Sequence, residues 1–249
     1  VVSEAGASVY SASKLAAEEF PQFDVNLRSA VSIARRLQDP LAELVKIDPK
    51  AIGVGQYQHD LKESELDAAL CGVVEDCVNS VGVDVNTASP SLLSHVAGIN
   101  ATVAKNIVAY REENGAFTTR AQLKKVSKLG PKAFEQSAGF LRIPGGKDPI
   151  ENTGVHPESY DAAKRLLKHF NLTPAQAVGK LSSLVEDAGY DALSAELNVG
   201  VPTLRDMAAE LSKPGRDPRD ELPQPLLRKD VMDMADLTPG MELTGTVRN

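Results

Sequence analysis

Two short segments of this sequence contain residues that could bind a phosphate group. The candidate residues are Gly98, Ile99, Asn100 and Ala101 in the first segment and Lys128, Leu129, Gly130 and Lys132 in the second, with Lys105 and Lys124 nearby. A glycine-containing turn ahead of a helix leaves backbone N–H groups unpaired, and the helix dipole is positive at the same end. The predicted chemistry is therefore contact of backbone N–H groups and lysines with phosphate oxygens, without recognition of bases.

Apolar residues at helical spacing surround both segments. The first segment lies between Leu93 and Ile107, and the second lies between Val126 and Phe134. This pattern predicts two short helices joined by a tight turn, twice in succession. We therefore interpret residues 86–143 as a tandem helix-hairpin-helix domain.

The charge of the chain is distributed unevenly. Its formal net charge is −7, and residues 60–84 contain seven acidic residues but a single basic one. Residues 114–134 contain no acidic residue and five basic ones, which are Arg120, Lys124, Lys125, Lys128 and Lys132. Because association with phosphate depends on local charge more than on total charge, we expect nucleic-acid binding of modest affinity here. The alternative is a solvated helix face without a ligand.

The composition predicts a mainly α-helical protein inside the cell. Aromatic residues make up 4% of the 249 residues and tryptophan is absent, so cores of alanine, leucine and valine are expected. No apolar run is long enough to span a membrane, and we expect a cytoplasmic location without membrane partners. Cys71 and Cys77 are expected to be buried free thiols. Since the first residue is not methionine, the sequence is expected to be part of a longer protein.

Periodicity and helix breakers predict the remaining elements. One helix is predicted to run through the Asp39-Pro40 pair, and a long amphipathic helix is predicted over residues 61–81. After a connector rich in proline and glycine comes a helical unit, in which one helix is predicted from residue 173 to about residue 188. The last residues place a Pro-Gly turn before alternating apolar residues, which predicts the first strand of a β domain.

The sequence resembles the Tex family of bacterial transcription accessory proteins over almost its whole length. The strings that carry the resemblance are, besides the two turn segments, VSIARRLQDPLAELVKIDPKAIGVGQYQHD, VNTAS, GVHPESY, KPGRDPR and PGMELTGTVRN. The resemblance implies a cytoplasmic factor that binds nucleic acid and is linked to transcription. It leaves open whether DNA or RNA is preferred, and it makes the transcription machinery a candidate partner.

The same resemblance implies an order of domains. Residues 1–60 correspond to the C-terminal part of a YqgF-type, RNase H-like domain, and residues 61–85 correspond to a long connecting helix. The tandem helix-hairpin-helix domain then occupies residues 86–143, and a second helical unit occupies residues 144–222. Residues 223–249 correspond to a linker and the truncated first strand of an OB-fold RNA-binding domain. The implied fold class is mainly α.

Both turns depart from the glycine pattern of the family. Asn100 and Lys128 stand where the family pattern has glycine. Asparagine tolerates a positive φ, so Asn100 is expected to preserve the turn in that conformation. Lys128 must either adopt an ordinary φ or strain the backbone.

Two other classes of function remain open. A metal-dependent nuclease of the RNase H-like class needs several carboxylates to hold divalent cations, and Glu4 and Asp39 are candidates. The strand that should carry the first carboxylate is expected to lie outside this sequence, so we do not expect an enzyme. A protein-interaction scaffold would use the acidic helix and the unit after Pro157. The loop at Gly53 lacks a full dinucleotide fingerprint and the histidines lack metal-ligand spacing, so neither a cofactor nor a metal is expected.

Overall fold

Helices dominate the structure, as predicted. The computed structural model describes residues 2–55, 57–213 and 234–242. The chain divides into two units, residues 1–215 and residues 216–249. In the second unit the described part contains a short 3-10 helix, Met234–Asp236. Residues 243–249, which hold most of the predicted C-terminal strand, lie outside the described residues.

Five short helices form the N-terminal part of the first unit. They are α1 Ala7–Ser11, α2 Lys14–Glu19, α3 Val25–Gln38, α4 Pro40–Leu44 and α5 Pro49–Ile52. Helices α3 and α4 are separate, so the prediction of one continuous helix is wrong. The chain is extended at Asp39, with a φ of −146°, because the following proline disfavours the helical conformation. The Asp39 carboxylate accepts a hydrogen bond from the Ala42 N–H at 3.0 Å and caps α4.

The predicted long helix is α6, Glu63–Val81. On its apolar face Val78 is fully buried, whereas Val73 is 59% exposed. Cys71 and Cys77 are both exposed on this helix, so the prediction of buried thiols is wrong. The helical spacing is correct, but Val78 alone on this face is fully buried, while Leu66, Leu70 and Val74 are partly buried.

The two predicted hairpins pack around a single apolar core. The first consists of α7 Pro90–Leu93 and α8 Ala101–Asn114, and the second consists of a 3-10 helix Arg120–Lys125 and α9 Pro131–Ser137. Helix α7 begins after Ser89, whose hydroxyl accepts a hydrogen bond from the Leu92 N–H at 3.2 Å. Leu93, Ile107 and Leu123 are fully buried in the shared core.

Two short strands join the start and the end of the hairpin region. Strand β1, Val83–Asp84, pairs in parallel with β2, Leu141–Arg142, and Val83 lies opposite Leu141. The sequence does not predict these strands, because two residues are too few to show alternation. Val78 and Val83 belong to the same core as the hairpins. The core therefore includes residues that precede the first turn in the sequence, beginning with Val78 near the C-terminal end of α6.

Five further helices pack around a second core. They are α10 Tyr160–His169, α11 Pro174–Ala177, α12 Leu181–Ala188, α13 Tyr190–Leu197 and α14 Val201–Ser212. The prediction of one helix over residues 173–188 is wrong, since Gly179 has a φ of 71° and separates α11 from α12. Leu166, Leu181 and Leu204 are fully buried in this second core.

Candidate nucleic-acid interface

The first turn depends on three consecutive residues. Gly98 has a φ of 82°, Ile99 is buried, and Asn100 is extended with a φ of −92°. The side-chain oxygen of Asn100 accepts hydrogen bonds from the N–H groups of Thr102 and Val103, both at 3.0 Å. The expectation of a positive φ at Asn100 is wrong. The left-handed residue is Gly98, and Asn100 preserves the turn as the N-cap of α8.

The second turn follows the same backbone path with different residues. Lys128 has a φ of 64°, Leu129 is buried, and Gly130 is extended with a φ of −73°. Lys128 thus takes the place of Gly98 and adopts the strained alternative, which costs about 1–2 kcal/mol for a residue with a side chain. Gly130 takes the place of Asn100 but has no side chain with which to cap α9.

Hydrogen bonds inside the turns remove two of the predicted phosphate ligands. The Ile99 N–H donates to the Val96 carbonyl at 2.9 Å, and the Leu129 N–H donates to the Val126 carbonyl at 3.2 Å. Pro131 has no N–H. The side chains of Ile99 and Leu129 are buried as well, so these residues hold the turns together.

The second turn keeps more open donors than the first. Lys132 and Ala133 occupy the positions equivalent to Thr102 and Val103, which Asn100 caps. No described residue accepts a hydrogen bond from the N–H groups of Lys132 and Ala133. Among the residues of the two turns, the N–H groups without an acceptor in the described part of the chain are those of Gly98, Asn100 and Ala101 at the first turn and of Lys128, Gly130, Lys132 and Ala133 at the second. The two turns are therefore unequal as candidate sites for phosphate.

Each turn packs against the second helix of the other hairpin. A β carbon at Gly98 would lie 3.0 Å from the Ala133 carbonyl oxygen and 2.9 Å from Gln136 Cβ, both in α9. In the other direction, the Asn106 side chain of α8 donates a hydrogen bond to the Ser127 carbonyl at 2.7 Å. This reciprocal packing places the two turns side by side. It also shows that the glycine at position 98 is needed for contact between the hairpins.

Exposed lysines surround the second turn. Lys105, Lys124, Lys125, Lys128 and Lys132 are all exposed. None of them lies within 4 Å of a carboxylate among the residues that the structure describes. The Lys124 ammonium lies 4.7 Å from the centre of the Phe134 ring, so the aromatic face helps to position it. The interpretation of this segment as a basic surface holds for its lysines.

Arg120 does not belong to this surface, although it lies in the same basic segment of the sequence. It is 1% exposed, and burial lowers the pKa of its guanidinium. The guanidinium donates hydrogen bonds to Leu141 O at 2.6 Å, Val155 O at 2.6 Å, Tyr160 Oη at 2.8 Å and Thr153 O. The backbone N–H of Arg120 donates a hydrogen bond to the Glu151 carboxylate at 3.1 Å. Arg120 therefore joins the hairpin core to the segment that leads into the second core.

The residues considered for metal binding have other contacts. Asp39 caps α4, and the exposed Glu4 accepts a backbone hydrogen bond from Ala7 at 3.0 Å through its carbonyl. His156 contacts the Glu135 carbonyl at 2.9 Å. Over the described ranges, no three histidine, cysteine or acidic side chains are grouped so that they could hold a metal ion. In the same ranges no helix has the length and apolar character to cross a membrane.

The fold and the paired turns define a helix-hairpin-helix protein. A family model described as helix-hairpin-helix motif matches residues 78–142, and one described as HHH domain matches residues 148–219. A third, described as Tex protein YqgF-like domain, matches residues 1–38.

Curated proteins identify the family. The protein named Protein tex from Bordetella pertussis is 58% identical over 249 residues, which cover all of this chain and 31% of that protein. Transcriptional accessory protein Tex from Neisseria gonorrhoeae is 55% identical over the whole chain and 33% of its own length. S1 RNA-binding domain-containing protein 1 from Homo sapiens is 42% identical over 303 residues, covering the whole chain and 30% of that protein. This chain belongs to the Tex family, and it spans about a third of the length of these relatives.

The second helical unit contains turns that our sequence analysis missed. Asn198 has a φ of 50°, Val199 is partly buried, and Gly200 is extended, which repeats the course of the first two turns. Asn171 is also left-handed, with a φ of 53°, and precedes the N-cap Thr173. A search for Asn, Gly or Lys followed by an apolar residue and an N-cap residue would have found both turns.

Proposed function

We propose that this chain binds nucleic acid through the phosphate backbone, without strong sequence preference, and that the second hairpin turn makes the principal contact. One observation carries the proposal: open N–H groups and exposed lysines without carboxylate partners occur together at that turn. The names of the relatives support it, since two are Tex proteins and a third is named for an RNA-binding domain.

The proposed roles follow from the donors at each turn. At the second turn the N–H groups of Gly130 and Lys132 donate to phosphate oxygens, while Lys124 and Lys128 supply positive charge. At the first turn the N–H groups of Gly98, Asn100 and Ala101 add a weaker contact, with Lys105 alongside. Amide and ammonium groups recognise acceptors that every nucleotide carries, so these contacts position the backbone and do not select bases.

We infer a binding role and not a catalytic one. The relative from Neisseria gonorrhoeae, which is named as a transcriptional accessory protein, favours this reading, and the proposed contacts require neither a cofactor nor a metal. A partner in the transcription machinery and a cytoplasmic location form part of the same proposal. The same proposal assigns residues 1–60 to an RNase H-like domain and residues 223–249 to the start of an OB-fold domain.

The test is a titration of the chain with single- and double-stranded DNA and RNA at two salt concentrations. Lys124→Ala combined with Lys128→Ala should weaken binding to every sequence and flatten the slope of log affinity against log salt by roughly one to two units. The matched control is Lys14→Ala with Lys62→Ala, which removes the same charge from two exposed pairs away from the turns. Equal losses in both double variants would show that net charge, and not the turn, governs binding.

A further inference from the structure

A groove with a volume of about 470 Å³ lies between α6 and the segment that contains α4 and α5. Apolar side chains line it, with Val73 and Leu70 on the α6 side and Leu44 and Ile52 on the other. Val73 is 59% exposed, Ile52 is 44% exposed and Leu44 is 39% exposed. A concave cluster of exposed apolar side chains is typical of a surface that another chain covers. We call it the α6 groove.

The charge around the α6 groove is negative. Asp48 and Asp67 line it together with Lys46 and His95, and α6 also carries Glu63, Glu65 and Glu75. Lys46 is paired, since it lies 2.9 Å from Glu43, and so is Lys50 next to the groove, which lies 2.6 Å from Asp67 and 3.2 Å from Glu63. An apolar floor is thus combined with a surplus of carboxylates on the surrounding surface.

This combination restricts what can occupy the groove. Nucleic acid and anionic membranes carry the same sign of charge as the surface and are repelled. A second copy of the chain would place its own acidic α6 against this one, which is also unfavourable. A basic amphipathic helix satisfies both features, because its apolar stripe can enter the groove while lysines and arginines meet the carboxylates.

We propose that the α6 groove binds a basic amphipathic helix of another protein. Helix α6 has 19 residues and is therefore about 28 Å long, which is enough to lie along a partner helix of several turns. Apolar partner residues at positions i, i+3 or i+4, and i+7 would contact Leu70, Val73 and Val74. The site is separate from the hairpin turns, so it gives the chain a protein-binding surface in addition to the nucleic-acid surface.

The two cysteines provide a direct measure of occupancy. Cys71 and Cys77 line the groove, are exposed, and are the two thiols of the chain. The probe is a synthetic helical peptide with leucines along one face and lysines elsewhere. It should slow the alkylation of both thiols by iodoacetamide in a saturable manner. A peptide of the same composition with its leucines distributed around the helix, and one with glutamates in place of lysines, should give no protection.

Two variants of α6 test the location of the site. Val73→Glu places a carboxylate in the groove and should weaken protection by about tenfold or more, because a buried, unpaired charge is costly. Ala68→Glu adds the same charge at an exposed position of α6 that does not line the groove, and it should leave protection unchanged. Thermal melting checks that both variants are folded.

Three results would overturn the proposal. Equal protection by the peptide with distributed leucines would mean that charge alone attracts the probe. Equal protection of Val73→Glu and the unmodified chain would place the peptide elsewhere. Slower alkylation at higher protein concentration, without any peptide, would show that a second copy of the chain covers the groove.

Discussion

Replacement of Gly130 by asparagine should block the second turn with the chain's own side chain. Gly130 has φ and ψ of −73° and 169°, close to the −92° and 169° of Asn100. No heavy atom lies within 4 Å of a β carbon built at Gly130, so the new side chain has room. It should accept hydrogen bonds from the N–H groups of Lys132 and Ala133, as Asn100 does at the equivalent positions of the first turn.

This substitution should have opposite effects on stability and on binding. An asparagine N-cap is a few tenths of a kcal/mol better than glycine, and loss of the conformational freedom of glycine in the unfolded chain adds about 0.4–1 kcal/mol. The free energy of unfolding should therefore rise by about 1 kcal/mol, and Tm should rise by about 2–4 °C. An N–H hydrogen bond to a charged phosphate is worth about 1.5–3 kcal/mol, so loss of the proposed contact from the Lys132 N–H should weaken binding by about tenfold or more.

Fluorescence anisotropy with labelled single- and double-stranded oligonucleotides measures the affinity, and thermal melting measures the stability. Gly130→Ala is the matched control, because it adds the same β carbon without an acceptor. We expect Gly130→Ala to bind like the unmodified chain and Gly130→Asn to bind more weakly while melting at a higher temperature. Equal affinities of the two variants would refute the assignment of a phosphate contact to the Lys132 N–H.

Two more substitutions and one assay test other parts of the structure. Gly98→Val places a β-branched residue at positive φ and within 3.0 Å of the Ala133 carbonyl, so it should lower stability by about 2 kcal/mol or more and weaken binding; an unchanged melting curve would contradict the packing between hairpins. Arg120→Met leaves the buried carbonyls of Leu141 and Val155 without their guanidinium donor and removes the 4.0 Å ion pair with Glu151, which should cost about 3–5 kcal/mol in a thermal or urea melt; a cost under about 1 kcal/mol would contradict its structural role. Gel assays with Mg²⁺ or Mn²⁺ should show no cleavage of nucleic acid, and cleavage that Glu4→Gln abolishes would revive the nuclease hypothesis.

The sequence predicts the turns because their determinants are local. A left-handed residue, an apolar residue and an N-cap residue succeed one another within three positions, and helical spacing resumes on either side. Helix α6 also follows from its spacing of apolar residues. Which N–H groups remain open does not follow in this way. It depends on hydrogen bonds such as that from Ile99 to Val96, whose geometry forms only when the turn closes.

The sequence by itself determined the helical class, the position of both turns and the separation of acidic from basic segments. Tertiary structure alone decided which charges and thiols are accessible. Arg120 and Lys124 have the same charge and lie four positions apart, yet one is buried against carbonyls from residues 141–155 and the other is exposed. Cys77 lies on an apolar helical face but is exposed, because no described element packs over it. Burial depends on contacts between residues far apart in the chain, and local spacing carries no information about those contacts.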